Sequence, residues 1–394
     1  MTLRLITAGE SHGPGLTTIV EGLPAGLTLD QGAIDDDMAR RQLGHGRGGR
    51  MKIERDHANV TAGVRHGKTL GGPIALQVPN RDYQNWEERM NPWPVDGQVD
   101  EVHLPRPGHA DLAGVQKFGF TDVRNVLERA SARETAARVA GGALCRAFLD
   151  AVGVQVRSHV VQIGDVHAPA RSLPQVDEFD AVDENPVRCL DLEASKAMVA
   201  HITAQRKANE SIGGVFEAVA FGLVPGLGSH VSWEERLDGR IAGAMCSIQA
   251  AKGVAFGDGF DLPGTPGSGS HDEIFRNDDQ GLFRETNHAG GIEGGMTNGL
   301  PVVVRVAMKP IPTLTKPLRS IDISTGEPAQ ALRERTDSCV VPAAGVVGEA
   351  MLCFVLADAY RRKFGGDHID DVVAAVDAYR ARIAASGVAA AADC

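Results

Sequence analysis

The stretch from Leu127 to Ala147 carries the residues best suited to bind an anion. Ser131 followed three residues later by Glu134 has capping-box spacing, which predicts that a helix begins at Ser131. Arg129 lies just before that start and Arg133 just inside it. A helix N-terminus offers free N–H groups and a positive dipole end, so two guanidiniums there would make a strong anion site. The alternative is an amphipathic helix whose arginines are merely solvated.

Two histidines lie in turns where they can exchange protons near neutral pH. His12 is in the turn Gly9–Gly13, and His109 is in Arg106–Asp111, where proline and glycine fix the backbone. Gly9–Gly13 also matches G-x-S-x-G, the nucleophile elbow of serine hydrolases, with Ser11 as the nucleophile. An elbow requires a following helix, whereas a β-branched strand pattern follows here. Structural or solvated histidines are the alternative for both positions.

A basic glycine loop at Gly44–Arg50 fits G-x-G-x-x-G, but it follows a predicted helix at Ala33–Leu43. The dinucleotide-binding fingerprint requires a preceding strand, so its context is missing. The loop is better interpreted as carrying Arg41, Arg47 and Arg50 towards an anion, with a solvated basic turn as the alternative. An RNA-binding arm is disfavoured because aromatic stacking partners are missing.

Further glycine-rich or polar loops could present backbone N–H groups to a phosphate or a flavin edge. They are Gly264–Ser270, Asn287–Gly299, Lys309–Thr313 and Arg335–Cys339. The thirteen histidines form no H-E-x-x-H pattern and the carboxylates form no EF-hand pattern, so we expect no catalytic metal.

The composition is that of a globular protein, and its charge argues against general nucleic-acid binding. The 394 residues are 43% hydrophobic and 23% charged, with a net charge of −11, whereas nucleic-acid binding requires a basic face. The six cysteines show no C-x-x-C pair, which favours reduced thiols in the cytoplasm. The apolar segment Val340–Leu356 contains Pro342 and Glu349, so we expect a buried helix and no membrane span.

The hydrophobic patterns predict a mixture of strands and helices whose order is similar in the two halves of the chain. Gly141 and Gly142, in mid-helix, indicate close approach of a backbone or a flat ligand. We expect one domain, residues 1–384, with an internal repeat of about 1–160 and 211–366, and a disordered tail at 385–394. The predicted strands are Leu3–Ala8, Leu16–Gly22, Ala58–Arg65, Pro73–Val78, Phe216–Leu223 and Pro301–Met308, and the later helices are Leu192–Ala208, Glu234–Ile248 and Ala343–Phe364.

In their order, these motifs resemble those of the chorismate synthases. The matching segments are GESHG, RRQLGHGR, RPGHAD, ERASARETAARVA, SIQAAKG, NHAGGIEGG, KPIPT and RTDSC, and they extend from about Leu3 to Phe364. The resemblance implies an α+β fold, a duplicated β-α-β sandwich with long helices packed centrally against antiparallel sheets. It also implies a cytoplasmic homotetramer.

The implied activity is an anti-1,4-elimination of phosphate and a ring proton from 5-enolpyruvylshikimate 3-phosphate, which yields chorismate. The family requires reduced FMN although the reaction has no net redox change. Some members reduce FMN with NADPH and others depend on an outside source. Because no spare domain fits in this chain, we expect NADPH to act only through a separate flavin reductase.

The resemblance also assigns roles to individual residues. His12 matches the histidine placed to protonate the departing phosphate, His109 the one near flavin N1, and Asp337 the carboxylate near flavin N5. Arg41, Arg47 and Arg133 are expected to bind substrate or NADP. The implied FMN contacts are Arg129, Ala130, Ser131, Gln249, Ala250, Gly294, Lys309, Pro310, Ile311, Pro312, Thr313 and Arg335. The loops Asn80–Val102 and Asp165–Leu190 carry none of the motifs.

Overall fold

A computed structural model describes residues 2–48, 55–97, 99–170, 173–277, 281–333 and 337–385. The helices are α1 (Gln31–Gln42), α2 (Asp111–Phe118), α3 (Arg124–Ala130), α4 (Thr135–Ala151), α5 (Leu192–Lys207), α6 (Leu237–Cys246), α7 (Val341–Phe364) and α8 (Ile369–Ala385). The strands are β1 (Arg4–Ala8), β2 (Gly15–Glu21), β3 (Asn59–Ala62), β4 (Val64–Arg65), β5 (Lys68–Thr69), β6 (Ile74–Pro79), β7 (Gln155–Ile163), β8 (Val166–His167), β9 (Gly214–Phe221), β10 (Ala251–Phe256), β11 (Phe275–Asn277), β12 (Gly281–Phe283), β13 (Ile292–Glu293), β14 (Met296–Thr297), β15 (Val302–Met308), β16 (Arg319–Ile321) and β17 (Pro328–Gln330).

The first sheet has the strand order β1-β2-β6-β3, and every neighbouring pair is antiparallel. In β2 the alternate residues Leu16, Thr18 and Val20 are buried, as the period of a half-buried strand requires. The predicted hairpin is confirmed, because β1 pairs with β2 along its whole length. The turn that joins these strands contains His12.

The second sheet has the order β10-β15-β9-β7-β8 and is also antiparallel. Strands β9 and β15 were predicted within two residues of their observed ends. Strand β7 was not assigned from the sequence. The prediction of helices combined with antiparallel sheets is confirmed, whereas the internal duplication stays a prediction.

The two longest central helices connect the sheets. Helix α4 packs on β1, β2 and β6, α7 packs on β7 and β9, and the two helices pack along each other. A Cβ added to Gly142 would lie 2.4 Å from the Cβ of Ala350 on α7, and one added to Gly141 would lie 2.5 Å from a methyl group of Leu5. The close approach indicated by these glycines is therefore made by the protein itself, not by a flat ligand.

The predicted helix start at Ser131 is wrong in its details. Helix α3 ends at Ala130, residues Ala132–Glu134 form a 3-10 turn, and α4 begins only at Thr135. The Ser131 hydroxyl does accept a hydrogen bond from the Arg133 N–H. The Glu134 side chain, however, binds groups on other elements and does not complete a capping box.

The C-terminal region is mostly helical. Helix α7 is long and apolar enough to pass a length-and-composition test for a membrane span, but 94% of its most apolar window is buried inside the protein. Such burial identifies α7 as a helix of the protein core, as the sequence predicted. Helices α2 and α8 were not predicted. The predicted disordered tail begins at Ala385, which ends α8, and its other residues lie outside the described part of the chain.

Candidate active site

The turn that carries Ser11 and His12 is held by hydrogen bonds from two other segments. The Ser11 N–H donates to the Glu128 carbonyl at 3.0 Å, and Asn80 Nδ2 donates to the carbonyls of Glu10 and Gly13 at 3.0 and 2.8 Å. Ser11 is 3% exposed, and its turn joins two antiparallel strands. The strand–turn–helix context of a nucleophile elbow is therefore not present here.

His12 is paired with a buried carboxylate on α3. Its Nδ1 lies 2.8 and 3.0 Å from the two carboxylate oxygens of Glu128, and its N–H donates to Glu128 Oε2 at 3.0 Å. Arg124 Nη1 donates to Glu128 Oε1 at 3.0 Å. Burial raises the pKa of Glu128, but the hydrogen bond and charge of His12, together with Arg124, outweigh burial and lower the pKa. Glu128 is thus an ionised acceptor for His12.

His109 has a similar pairing within its own turn. Its Nδ1 lies 2.5 Å from Asp111 Oδ1, and Arg106 donates to both oxygens of Asp111 at 2.8 and 3.1 Å. Arg106 Nη2 is also 3.1 Å from Nδ1, but the shorter contact with the carboxylate identifies Nδ1 as a donor. Burial raises the pKa of Asp111, and the hydrogen bonds from His109 and Arg106 outweigh it, so that the pKa is lowered.

Arg41 and Arg133 share one buried carboxylate. Both guanidiniums bind Asp56, Arg133 Nη1 at 2.5 Å from Oδ1, and Arg133 Nε donates to Asn80 Oδ1 at 2.9 Å. Burial lowers the pKa of Arg41 to about 10; Arg133 and Arg47 act in the same direction and Asp56 opposes them. The group therefore keeps one net positive charge next to Arg47.

Asp337 is held by the basic glycine loop. Arg47 Nη1 lies 2.7 Å from Asp337 Oδ2, and the Gly48 N–H donates to Oδ1 at 2.5 Å. The backbones also connect, because the Ser338 N–H donates to the Gly46 carbonyl at 2.7 Å. Arg335, which the family resemblance implies as an FMN contact, lies outside the described residues. The observed cationic partner is Arg47.

Gln249 and, through Thr7, Arg129 are both linked to the carboxylate of Glu134. Arg129 Nη2 donates to the carbonyl and hydroxyl of Thr7 at 2.8 and 2.9 Å, and Nη1 donates to the Gly9 carbonyl at 3.2 Å. Thr7 Oγ1 donates to Glu134 at 2.7 Å, and Gln249 Nε2 donates to Glu134 at 3.1 Å. Ala130 and Ser131, at the end of α3, follow Arg129 directly.

The segment Lys309–Thr313 connects Ala250 to the His109 turn. The Lys309 N–H donates to the Ala250 carbonyl at 2.9 Å, and Lys309 Nζ donates to the Gly108 carbonyl at 2.6 Å. Ser211 Oγ donates to the Ile311 carbonyl at 2.8 Å. Pro310, Pro312 and Thr313 lie in the same segment.

The contacts form two runs of hydrogen bonds, ion pairs and sequence neighbours. One run goes from the His12 turn through Asn80, Arg133 and Asp56 to Arg41. The other goes from Arg47 through Asp337, Ser338, Ile212, Ser211, Ile311, Lys309, Ala250, Gln249, Glu134, Thr7 and Arg129 to Gly9 in the His12 turn. The charge of Arg47 lowers the pKa of Arg41, so the two runs lie close to each other at these arginines. Gly294 lies in the β13–β14 turn near His230, and β14 packs against α6, the helix that leads to Gln249.

The residues around Gln249 fit a polar aromatic cofactor such as a flavin. Gln249 Oε1 is buried and has no hydrogen-bond partner within the described residues, so an acceptor is available to a ligand N–H. Ala250 has a φ of 70°, a left-handed conformation that residues other than glycine rarely adopt. Lys309 and Arg129 supply positive charge. Within the described residues, no group of three or more His, Cys, Asp or Glu side chains could hold a metal ion.

Four residues of the site were not found from the sequence. Asp56, Asn80 and Glu128 bind candidate residues directly, and Trp86 stacks on His12 with a centroid distance of 4.0 Å. Glu128 lies beside Arg129 in a recognised motif, which was a usable signal. Trp86 lies in the loop Asn80–Val102, which carries no motif.

Comparison with known proteins agrees with the resemblance seen in the sequence. A family model described as chorismate synthase matches residues 3–360. The chain is 55% identical over 377 residues to a chorismate synthase of Rubrobacter xylanophilus, covering 96% of each chain, and 55% identical over 386 residues to one of Desulforudis audaxviator, covering 98% and 99%. A crystal structure of a chorismate synthase superposes with a TM-score of 0.80 at 41% identity, covering 98% of this chain and 99% of that one.

Proposed function

The chain belongs to the chorismate synthase family, and we propose that it converts 5-enolpyruvylshikimate 3-phosphate to chorismate by an anti-1,4-elimination. The observation that carries this proposal is the series of contacts that runs from Arg47 to the His12 turn. The series brings together His12, Asp337 and Lys309 from distant parts of the chain. The Lys309 side chain also donates a hydrogen bond to the His109 turn. An elimination needs such groups, because a proton and a phosphate leave different carbons.

The cations of the site suit a substrate with two carboxylates and a phosphate. Arg47, Lys309 and the net charge shared by Arg41, Arg133 and Asp56 can bind these anions. Guanidiniums are well suited to this role because their planar donors match the oxygens of carboxylates and phosphates. To bind the substrate directly, Arg41 and Arg133 would either release Asp56 or bind the substrate and Asp56 together.

The proton-transfer roles are assigned from the family resemblance and from the local chemistry. His12 protonates the departing phosphate, and its Nδ1 is occupied by Glu128, so the proton leaves from Nε2. Asp337 assists removal of the ring proton, and its carboxylate is paired with Arg47 before the reaction. His109 lies in the turn to which Lys309 donates a hydrogen bond, and its Nδ1–H donates a hydrogen bond to Asp111.

Reduced FMN would be held by Arg129, Ala130, Ser131, Gln249, Ala250, Gly294, Lys309–Thr313 and Arg335. When bound, it supplies electron density that helps to expel the phosphate without net oxidation. Gln249 contributes an available acceptor at Oε1, and Arg129 and Lys309 contribute positive charge.

NADPH would act only through a separate flavin reductase. Gly44 and Gly46 have positive φ values and pack against Pro342 and Cys339, so their role in the loop is close packing after α1. They do not form the strand-to-helix turn that holds a dinucleotide pyrophosphate. We also infer a cytoplasmic homotetramer and an internal duplication of about 1–160 and 211–366, in which α4 with the first sheet corresponds to α7 with the second.

The proposal is tested by an anaerobic assay with photoreduced FMN and the enolpyruvyl substrate. We expect phosphate and chorismate to appear in equal amounts, and neither to appear with oxidised FMN. Phosphate release without chorismate, independent of flavin, would instead support a phosphate-ester hydrolase that uses Ser11. The burial of Ser11 argues against that second function. No product in either condition would refute the lyase.

A further inference from the structure

The ring of His12 belongs to a closed cluster of four side chains. Glu128 binds Nδ1 of His12, Arg124 binds Glu128, and the Arg124 guanidinium carbon lies 5.1 Å from the centroid of the Trp86 ring. Trp86 in turn stacks on the His12 ring with 4.0 Å between centroids and 22° between planes. Each member therefore contacts two others, and we call these four residues the His12 cluster.

The bond to Glu128 selects one form of the imidazole. An ionised carboxylate only accepts hydrogen bonds, so a neutral His12 ring must carry its proton on Nδ1. The opposite tautomer would place the Nδ1 lone pair 2.8 Å from a negatively charged oxygen. Because the Glu128 side chain is only 2% exposed, water cannot readily replace His12 as its hydrogen-bond partner.

The stack with Trp86 fixes the remaining freedom of the ring. The torsion that rotates an imidazole about its Cβ–Cγ bond has a broad energy profile, so a hydrogen bond at one nitrogen leaves the ring free to swing. A parallel indole at 4.0 Å restricts that rotation. Trp86 is itself held, because its Nε1 donates to Asp82 Oδ2 at 3.2 Å and Arg124 lies over its ring.

We propose that Trp86 and Glu128 are positioning residues for His12. Glu128 keeps a proton on Nδ1, so that Nε2 is the nitrogen that gains a proton and, from the imidazolium, gives it up to the phosphate, and Trp86 sets the plane of the ring. This rests on the proposed function in assigning proton transfer to His12. It gives the loop Asn80–Val102, which carries no family motif, a direct part in the site. Neither residue is proposed to touch the substrate.

The kinetic test compares Trp86→Ala and Trp86→Phe with Trp93→Ala. Trp93 lies in the same loop and is 77% exposed, so it is the matched control. We expect Trp86→Ala to lower kcat about 100-fold, the scale of a misplaced catalytic group, with KM changed less than about threefold. Trp86→Phe should restore most of kcat, because a phenyl ring can stack, and Trp93→Ala should stay near wild type.

Two kinetic results would overturn the role of Trp86. One is a kcat for Trp86→Ala within twofold of that for Trp93→Ala. The other is a rise in KM with an unchanged kcat, which would make Trp86 a substrate-binding residue. Trp86→Phe keeps the test valid if the alanine variant folds poorly.

The spectroscopic test needs no activity. Solid-state NMR of protein labelled with ¹⁵N-histidine, prepared above pH 8 without substrate, reports which ring nitrogen carries hydrogen. A difference spectrum against His12→Gln isolates His12 among the thirteen histidines. We expect hydrogen on Nδ1 in the unmodified protein and a shift towards Nε2 in Glu128→Ala. Hydrogen on Nε2 in the unmodified protein would refute the role of Glu128, whereas a missing chorismate product would refute the proposed function separately.

Discussion

The contact between Arg47 and Asp337 leads to a quantitative prediction. If this pair acts as a unit, Arg47→Ala and Asp337→Asn should each reduce kcat/KM, and the double variant should be little worse than the more damaged single variant. The structure supports such coupling because the guanidinium and carboxylate are 2.7 Å apart and their side chains are only 11% and 20% exposed. Partly buried pairs of this kind are weakly screened by solvent and salt.

The size of the effect follows from the charge on both partners. A hydrogen bond that involves charged groups contributes about 1.5 to 3 kcal/mol, and every 1.4 kcal/mol corresponds to about tenfold. Each single variant should therefore lose about 10- to 100-fold in kcat/KM. In Arg47→Ala we expect mainly a higher KM, because an anion loses its partner, whereas in Asp337→Asn we expect mainly a lower kcat with flavin binding retained.

The assay is a double-mutant cycle on chorismate formation with chemically reduced FMN in the absence of oxygen. A coupling energy of about 1 to 3 kcal/mol is expected for groups in contact. Arg4→Ala is the control, since Arg4 pairs with Glu21 at 3.4 Å and both side chains are exposed, at 67% and 48%. Additive losses in the double variant would show that Arg47 and Asp337 act independently, and would refute this reasoning.

Three further predictions concern the histidines, the helix packing and the flavin source. His12→Ala and His109→Ala should each lower turnover by about 10- to 10⁴-fold, with FMN affinity changing less in His12→Ala; near-normal turnover in both would remove them from the mechanism. Gly142→Ala should lower the urea midpoint of unfolding, since a Cβ there would lie 2.4 Å from that of Ala350 and overpacking costs about 1 to 3 kcal/mol. A Cβ added to Gly243 would have nothing within 4 Å, so Gly243→Ala should raise the urea midpoint through helix propensity. A change of the midpoint in the same direction in both variants would contradict the packing argument. With NADPH and oxidised FMN in air the purified protein should be inactive, and steady turnover in preparations free of flavin reductase would refute dependence on an outside reductant.

The elements that could be predicted are those whose pattern is local. The alternation in β2 and the apolar run of α7 each determine one element without reference to the rest of the chain. The glycines at 141 and 142 indicated a close contact because their cost within a helix needs compensation. What made the contact could not be predicted, because Ala350 belongs to a helix about 200 residues later, and no local signal specifies which elements meet.

The same limit separates the candidate residues from their partners. Arg41, Arg133 and Asp337 were selected as charged groups within recognisable motifs, and the residue type alone indicated their chemistry. Asp56 is an ordinary carboxylate in sequence terms, and it becomes central only because the fold brings it within 2.5 Å of a guanidinium 77 residues away. The capping box failed for a related reason, since Glu134 has tertiary partners that compete with the local bond to Ser131.

The two histidines show how one chemical arrangement can arise by two routes. For His109 the carboxylate and arginine both belong to its own turn, two and three residues away, so the arrangement was accessible from the sequence. For His12 the carboxylate is 116 residues away and only the fold brings it near. In both cases a buried carboxylate, itself bound by arginine, occupies Nδ1, so proton exchange with substrate or cofactor must use Nε2. Any difference in role between the two histidines must therefore come from where each ring lies, since the polar groups that support the two rings are chemically alike.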